Sequence, residues 1–320
     1  MKRIAVLTSG GDAPGMNAAI RAVARQGFAL GARVVGFRHG LDGIFKSDYV
    51  ELTPRGVGGV LDQGGTFLGT GRSSRFRQEG GPQLALDALA AADVDSLAII
   101  GGDGSMRAAL TLHELGFPVV GIPSTIDNDI FGTEITIGFD TALNTILDAV
   151  SKIRDTASAH DRVFVVEVMG RDSGELAVNA AIGGGGDYVI IPEAPGEVEM
   201  AAEHVSYDHW RGKLHTIIIV AEGCCTADDV AASLASSSSG HEVRRTVLGY
   251  IQRGGHPSAR DRIVASRLGA GAVQALARGT VGVMAGLHAE QVVFTSLADV
   301  VSHRRTLDFS LLELVKTLAT

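Results

Sequence analysis

In the stretch Pro123 to Asp129, PSTIDND, a threonine and two aspartates (Thr125, Asp127 and Asp129) stand at every second position directly behind an apolar run. Carboxylates so placed can take a proton from a hydroxyl or hold a hydrated cation, and with a threonine donor beside them they can do both. Thr, Asn and Asp after Pro are also ordinary loop formers, because their short side chains bond to neighbouring backbone. A second stretch, IIGGDGSMRAAL (99–110), sets Asp103 among Gly101, Gly102 and Gly104 behind another apolar run. An aspartate there is poorly placed for packing and well placed for Mg²⁺ on a polyphosphate. The glycines leave room for phosphate oxygens, and Ser105 can cap a helix or bind phosphate through its hydroxyl. Asp-Gly is equally a common turn.

Around these carboxylates stand cations. LGTGRSSRFR (68–77) carries Arg72, Arg75 and Arg77 among serines, either a solvated basic loop or guanidinium groups matched to phosphate. VVEVMGRDSGELA (165–177) sets Arg171 on a glycine turn, with Arg162 just before it, and RRTVLGYIQRGG (244–255) adds Arg244 and Arg253. Glu222 follows an apolar run in VAEGC. Each alone reads as surface charge; together they suit a phosphorylated substrate and a polyphosphate donor. LTSGGDAPGMNAAIRA (7–22) gives a glycine turn whose backbone amides can approach an anion. It lacks both the GxGxxG and the GxxxxGK[ST] patterns, so neither common nucleotide-binding loop is supported.

The elements that must position these residues read as repeated βα units. Short β-branched runs at Ile4 to Leu7, Val34 to Phe37, Leu97 to Ile100, Val119 to Ile122, Val163 to Val168, Val189 to Ile191 and Ile217 to Val220 predict buried parallel strands. Between them, NAAIRAVARQGFAL and DTALNTILDAVSKIRDTA have helical spacing, which predicts a doubly wound α/β architecture. In such sheets ligands gather beyond the C-terminal ends of the strands, where the polar motifs lie. The serine run ASSSSG (235–240) reads as a mobile surface loop.

Bulk properties set the frame. A chain of 320 residues has room for two α/β domains, and 45% hydrophobic with 20% charged residues suits a globular protein. With 36 acidic against 28 basic residues the net charge is −8, which argues against nucleic acid or anionic membrane as partners, so an anionic ligand must be held locally. No segment offers about 20 consecutive apolar residues and the N-terminus has no signal-peptide core, so a cytoplasmic location is expected. The two cysteines, Cys224 and Cys225, are adjacent, without zinc-ligand spacing, and are expected to stay reduced.

Taken in order, TSGGDAPGMNAAIR, GGTFLG, GGDGS, TIDND, IGFDTA, VVEVMGR and TVLGYIQRGG resemble the ATP-dependent 6-phosphofructokinases of bacterial type, from Met1 through the C-terminal region. The resemblance implies two doubly wound, Rossmann-like, three-layer α/β/α domains with the active site in the cleft between them. The larger, ATP-binding domain would take 1–138 plus about 251–301, and the smaller, sugar-phosphate-binding domain 139–250 plus about 302–320. It implies a homotetramer that transfers the γ-phosphoryl group of ATP, with Mg²⁺, to the 1-hydroxyl of fructose 6-phosphate.

Carried over residue by residue, the resemblance makes Asp127 the general base, with Thr125 on sugar and transferring phosphate and Asp129 orienting the sugar or Mg²⁺. Arg171, Arg72 and the backbone at Gly11 stabilise the transferring group, and Asp103 acts through the metal. The nucleotide would also meet Ser73, Arg77, Gly102, Gly104, Ser105 and Ala108; Leu41, Ser73 and Ala108 depart from the family there. Met169, Gly170, Glu222, Tyr250 and Arg253 bind the sugar phosphate, Tyr250 standing where many relatives have histidine. Arg162 and Arg244 reach in from a neighbouring subunit. An effector site for ADP or phosphoenolpyruvate would use Arg21, Arg25, Arg55, Arg154, Asp187, Arg211, Lys213 and His215, with Pro54 in the place of a family arginine. A pyrophosphate-dependent relative carries aspartate at position 104 and lysine at 124, where this chain has Gly104 and Ser124. A non-catalytic nucleotide sensor of the same fold would be expected to have lost Asp127, Asp103 or Arg171.

Overall fold

The computed structural model describes residues 2–236 and 242–319, so positions 237–240 of the serine run expected to form a mobile loop lie outside the described residues. In chain order the elements are β1 (Arg3–Ser9), α1 (Met16–Ala29), β2 (Arg33–Phe37), α2 (Leu41–Phe45), β3 (Tyr49–Glu51), α3 (Gly81–Ala91), β4 (Ser96–Gly101), α4 (Asp103–Glu114), β5 (Val119–Pro123) and α5 (Phe139–His160). There follow β6 (Val163–Val168), α6 (Glu175–Gly184), β7 (Tyr188–Ile190), α7 (Glu197–Trp210), β8 (Thr216–Ala221), α8 (Ala227–Ser236) and β9 (Val243–Val247). The chain closes with α9 (Ala259–Ala277), β10 (Val283–His288), β11 (Gln291–Ser296), α10 (Leu297–Ser302) and α11 (Phe309–Leu318).

Two compact units result, one from Met1–Thr141 with Arg253–Arg305, the other from Ala142–Gln252 with Thr306–Thr320. The expected boundaries stood at 138/139, 250/251 and 301/302; the observed first one falls inside α5, three residues after it begins.

The first unit is a seven-stranded sheet in the order β11-β10-β5-β4-β1-β2-β3, parallel through its middle, with antiparallel pairs at both edges. Its strands alternate between two helical layers. Ala5, Leu7, Val35 and Phe37 face one layer, in a core shared with α2, α3, α4 and α10. Ile4 and Val34 face α1, so closely that a Cβ on Gly27 would lie 2.6 Å from Val34 Cγ2. Every residue of β1 is buried, as expected of a strand covered on both faces.

The second unit has a four-stranded, all-parallel sheet in the order β7-β8-β6-β9. Val163, Val165, Ile218 and Val220 pack against α7 and α8, while Gly186 leaves room for Ile219 against Ala181 of α6 on the other face. Each unit is thus an α/β/α sandwich, and the C-terminal strand ends of both present the motif-bearing turns. Among the described residues no helix is long and apolar enough to cross a membrane.

Candidate functional site

In the first unit three parallel strands, β1, β4 and β5, end at Ser9, Gly101 and Pro123. Beyond β1 the chain turns at Gly10, in the left-handed region at φ 91°, and runs through Gly11 to α1. The turn is braced by the arginine-bearing loop: Gly10 N–H donates to the Gly71 carbonyl at 3.1 Å, and Thr70 Oγ1 donates to the Gly10 carbonyl at 3.1 Å. Gly11 is exposed, and a Cβ there would lie 3.2 Å from Arg253 Nη1, which is 4.0 Å from the Asp12 carboxylate. Arg253 therefore lies over the Gly11 turn. Arg72 and Arg77 are exposed, whereas Ser73 is buried and accepts from Phe76 N–H at 3.1 Å, within the 3₁₀ turn Arg75–Arg77. Leu41 and Ala108 belong to the same apolar core.

Ser105 lies inside α4, whose N-cap is Gly102, and so does not cap the helix. Its buried hydroxyl donates to the Ser9 carbonyl at 3.0 Å and ties the ends of β1 and β4 together. That approach requires Gly101, because a Cβ there would stand 2.3 Å from Ser105 Oγ and 2.4 Å from the Ser9 oxygen. Gly104 differs: a Cβ on it would meet nothing within 4 Å. Asp103 opens α4, half exposed, and its Oδ2 accepts from Arg107 Nε at 3.1 Å one turn on.

Among the described residues no group of three or more His, Cys, Asp or Glu is arranged to hold a metal. A magnesium ion riding on a triphosphate keeps several waters and takes one or two carboxylates. Asp103, solvent-accessible at a helix N-terminus between glycines, fits that requirement.

The PSTIDND segment shows a two-residue alternation: Ile126, Asn128 and Ile130 are buried, while Thr125, Asp127 and Asp129 are partly exposed. Asn128 is the residue that sequence reasoning passed over. It takes the left-handed conformation at φ 51°, and its Oδ1 accepts from Thr136 N–H at 2.9 Å and lies 3.2 Å from Thr136 Oγ1. Thr136 Oγ1 also bonds the Thr125 carbonyl at 2.6 Å, and Thr125 Oγ1 accepts from Asp127 N–H at 3.2 Å. The loop is pinned from below by polar side chains while its carboxylates stay accessible. Thr125 also packs beside the turn after β4, since a Cβ on Gly102 would lie 3.7 Å from Thr125 Cβ.

A second buried anchor follows. Asp261, fully buried in the first turn of α9, accepts from Gly138 N–H at 2.9 Å and from Thr141 N–H at 2.8 Å and Thr141 Oγ1 at 2.5 Å. Burial pushes its pKa up to about 6, against the lowering effect of these bonds. The segment it holds leads back to the catalytic candidates, because Ile137 N–H donates to the Pro123 carbonyl at 3.1 Å. Asn17 does similar work for the GGTFLG segment, bonding the Gln63 and Gly64 carbonyls at 3.1 Å and Phe67 N–H at 2.8 Å.

In the second unit, the turn after β6 carries Met169, Gly170 at φ 143° and Arg171 at φ 57°. Arg171 N–H donates to Glu222 Oε1 at 3.2 Å, and a Cβ on Gly223 would overlap the Arg171 carbonyl at 1.6 Å, so the turns after β6 and β8 interlock. A left-handed arginine is held there by its surroundings. Tyr250 is 78% exposed. Arg162 and Arg244 are brought together by one carboxylate, Glu242, which pairs with Arg162 Nε at 2.5 Å and with Arg244 Nη2. These guanidinium groups hold the Glu242 carboxyl below the usual range.

The residues expected to bind an effector are divided between the units, with Arg21, Arg25 and Arg55 on the first and the others on the second. Arg25 bonds the Pro54 carbonyl at 2.9 Å, and Arg154 Nη2 bonds the Gly184 and Gly185 carbonyls where α6 ends. Asp187 is engaged inside its own unit, accepting from Ile217 N–H at 2.7 Å and pairing with Lys213 Nζ at 2.7 Å. Arg211 lies over the Tyr207 ring, and His215 is partly exposed. Cys224 and Cys225 form no disulfide, and burial, with Cys224 alongside, pushes the Cys225 thiol up to about 12, so it stays protonated.

The family profile described as Phosphofructokinase matches residues 3–276. The chain is 50% identical over 323 residues to ATP-dependent 6-phosphofructokinase 1 of Thermus thermophilus, with both chains covered in full. It is 46% identical over 319 residues to an ATP-dependent 6-phosphofructokinase of Brevibacillus brevis, again covering both in full. Among solved structures, phosphofructokinase from Saccharomyces cerevisiae superposes with a TM-score of 0.88 at 36% identity, covering 94% of this chain and 45% of the yeast chain. A pyrophosphate-dependent phosphofructokinase from Marinobacter aquaeolei superposes with a TM-score of 0.87 at 21% identity, over 97% of this chain and 86% of that one, and shares the fold.

Proposed function

The chain belongs to the phosphofructokinase family, and from that premise we infer that it transfers the γ-phosphoryl group of ATP to the 1-hydroxyl of fructose 6-phosphate, giving fructose 1,6-bisphosphate and ADP. The observation that carries the assignment is the accessible Asp127 on a loop fixed by Asn128 and Thr136, beside the glycine turn that opens onto Asp103.

Asp127 takes the proton as the 1-hydroxyl oxygen attacks the γ-phosphorus and the bond to the β-phosphate oxygen breaks. Thr125 and Asp129 orient the sugar, and Gly11 N–H, Arg72 and Arg171 meet the charge on the transferring group. In such reactions positioning and electrostatics supply most of the acceleration. Arg77, Gly102, Gly104 and Ser105 form the nucleotide side of the site, Ser105 indirectly through its bond to Ser9. Asp103 and Asp129 are the residues that would hold magnesium, which when bound with the nucleotide would neutralise phosphate charge. Met169, Gly170, Glu222, Tyr250 and Arg253 receive the sugar phosphate, and Arg162 and Arg244 serve a neighbouring subunit of a homotetramer. ADP or phosphoenolpyruvate acts at the basic effector residues, and the enzyme works in the cytoplasm.

ATP is favoured over pyrophosphate by Gly104 and Ser124. The space beside Gly104 accepts an α-phosphate that an aspartate would repel. Initial rates with Mg²⁺ and ATP, GTP or pyrophosphate, with the product identified, test the reading. Product with a nucleoside triphosphate alone supports it. Product with pyrophosphate alone overturns the donor, and no product with any donor overturns catalysis.

A further inference from the structure

β9 runs beside β6 as far as Val247, in register with Glu167, and Leu248 N–H still donates to the Glu167 carbonyl at 3.1 Å. There the chain leaves the sheet. Gly249 takes φ 55°, and Gly249–Arg253 coil into a single 3₁₀ turn. The buried Met169 N–H, one residue past the end of β6, therefore needs an acceptor from elsewhere, because an unsatisfied buried amide is costly.

Gln252 supplies it. Its fully buried carboxamide accepts from Met169 N–H at 3.1 Å through Oε1 and donates to the Gly249 carbonyl at 3.0 Å through Nε2. One side chain thus fastens the turn that carries Met169, Gly170 and Arg171 to the turn that carries Tyr250. A glutamine satisfies both ends because it carries one acceptor and one donor at the same carbon. Neither an aliphatic nor a carboxylate side chain offers both.

We propose that Gln252 is a positioning residue that sets the spacing of these two turns for the sugar phosphate, touching no substrate itself. The proposal rests on the functional reading above. Its loss changes what the two turns bind and, through Arg171 on one of them, lowers kcat as well, while the nucleotide turns and Asp127 lie in the other unit of the chain and keep their own bonds.

The test compares wild type with Gln252→Glu, which keeps the acceptor and turns the donor into an oxygen facing the Gly249 carbonyl, and with Gln252→Met, which keeps the volume and removes both bonds. The KM for fructose 6-phosphate is expected to rise about tenfold in Gln252→Glu and further in Gln252→Met, with the KM for ATP within about twofold of wild type. Amide exchange across 169–171 is expected to quicken in both. Should Gln252→Met fail to fold, Gln252→Glu carries the same split. KM values that rise together, or neither rising, overturn the proposal while the functional reading stands. A wild type that does not phosphorylate fructose 6-phosphate overturns the reading and the proposal with it.

Discussion

A general base can be removed without removing the site around it. Asp127→Ser deletes the carboxylate, while Thr125, Thr136 and Asn128 hold the loop through bonds that do not use it. A fall in kcat of about three orders of magnitude is expected, with sugar-phosphate binding retained. Unchanged turnover in a steady-state assay would remove Asp127 from the role. Glu242 leads to a change of opposite sign. It engages both Arg162 and Arg244, so an incoming phosphate must compete with a carboxylate already in place. Glu242→Gln is expected to lower the fructose 6-phosphate KM about twofold to fivefold, more at low salt than at high, since the pairs are partly exposed and screened. A raised KM would instead show that Glu242 pre-organises the arginines.

Asp261 ties one element to another, since it sits in the first turn of α9 and holds the turn that starts α5. Its folded pKa of about 6 lies above the ordinary 3.8, so between about pH 4 and pH 6 the folded chain binds more protons than the unfolded one. Its contribution to stability therefore falls as pH rises through that window, by about 3 kcal/mol for a shift of about two units, and stays low above it. Asp261→Asn removes the titration. The melting temperature of wild type relative to Asp261→Asn is expected to be more favourable at pH 5 than at pH 7.5; a pH-independent difference would contradict burial as the cause. Sequence pattern found seven of the eleven described strands because unbroken β-branched runs mark a strand covered on both faces. It passed over β3, only three residues long at a sheet edge, β9, whose Arg244 and Arg245 lie exposed at a sheet edge, and the β10–β11 hairpin, whose turn is Ala289 and Glu290 at positive φ rather than the usual Asn-Gly. Asp261, Asn128 and Gln252 escaped for a related reason. Each is a polar residue fully or almost fully buried, and only the folded chain shows which distant amide it serves. Asn128 alone left a trace, at the buried phase of the alternation that exposes Thr125, Asp127 and Asp129.

The molecule as a whole bears on whether one chain suffices. Arg162 and Arg244 belong to a unit different from the one that holds Asp127, and the proposed role of both is to serve a neighbouring subunit. In a closed, symmetric homo-oligomer each contact made by one copy is returned by the next, so a shared site can be tested by mixing defects. Asp127→Ser and Arg162→Ser/Arg244→Ser proteins are each expected to be nearly inactive alone. After joint dissociation and reassembly, a site that takes Asp127 from one protein and both arginines from the other regains every group, while its companion across the interface loses all three. Random reassembly of equal amounts is therefore expected to restore about a quarter of wild-type activity. The recovered sites should show the wild-type KM for fructose 6-phosphate. If mixing restores nothing although size-exclusion profiles and isotope-labelled mass spectra show hybrids, the arginines serve their own subunit, and the site is complete within one chain.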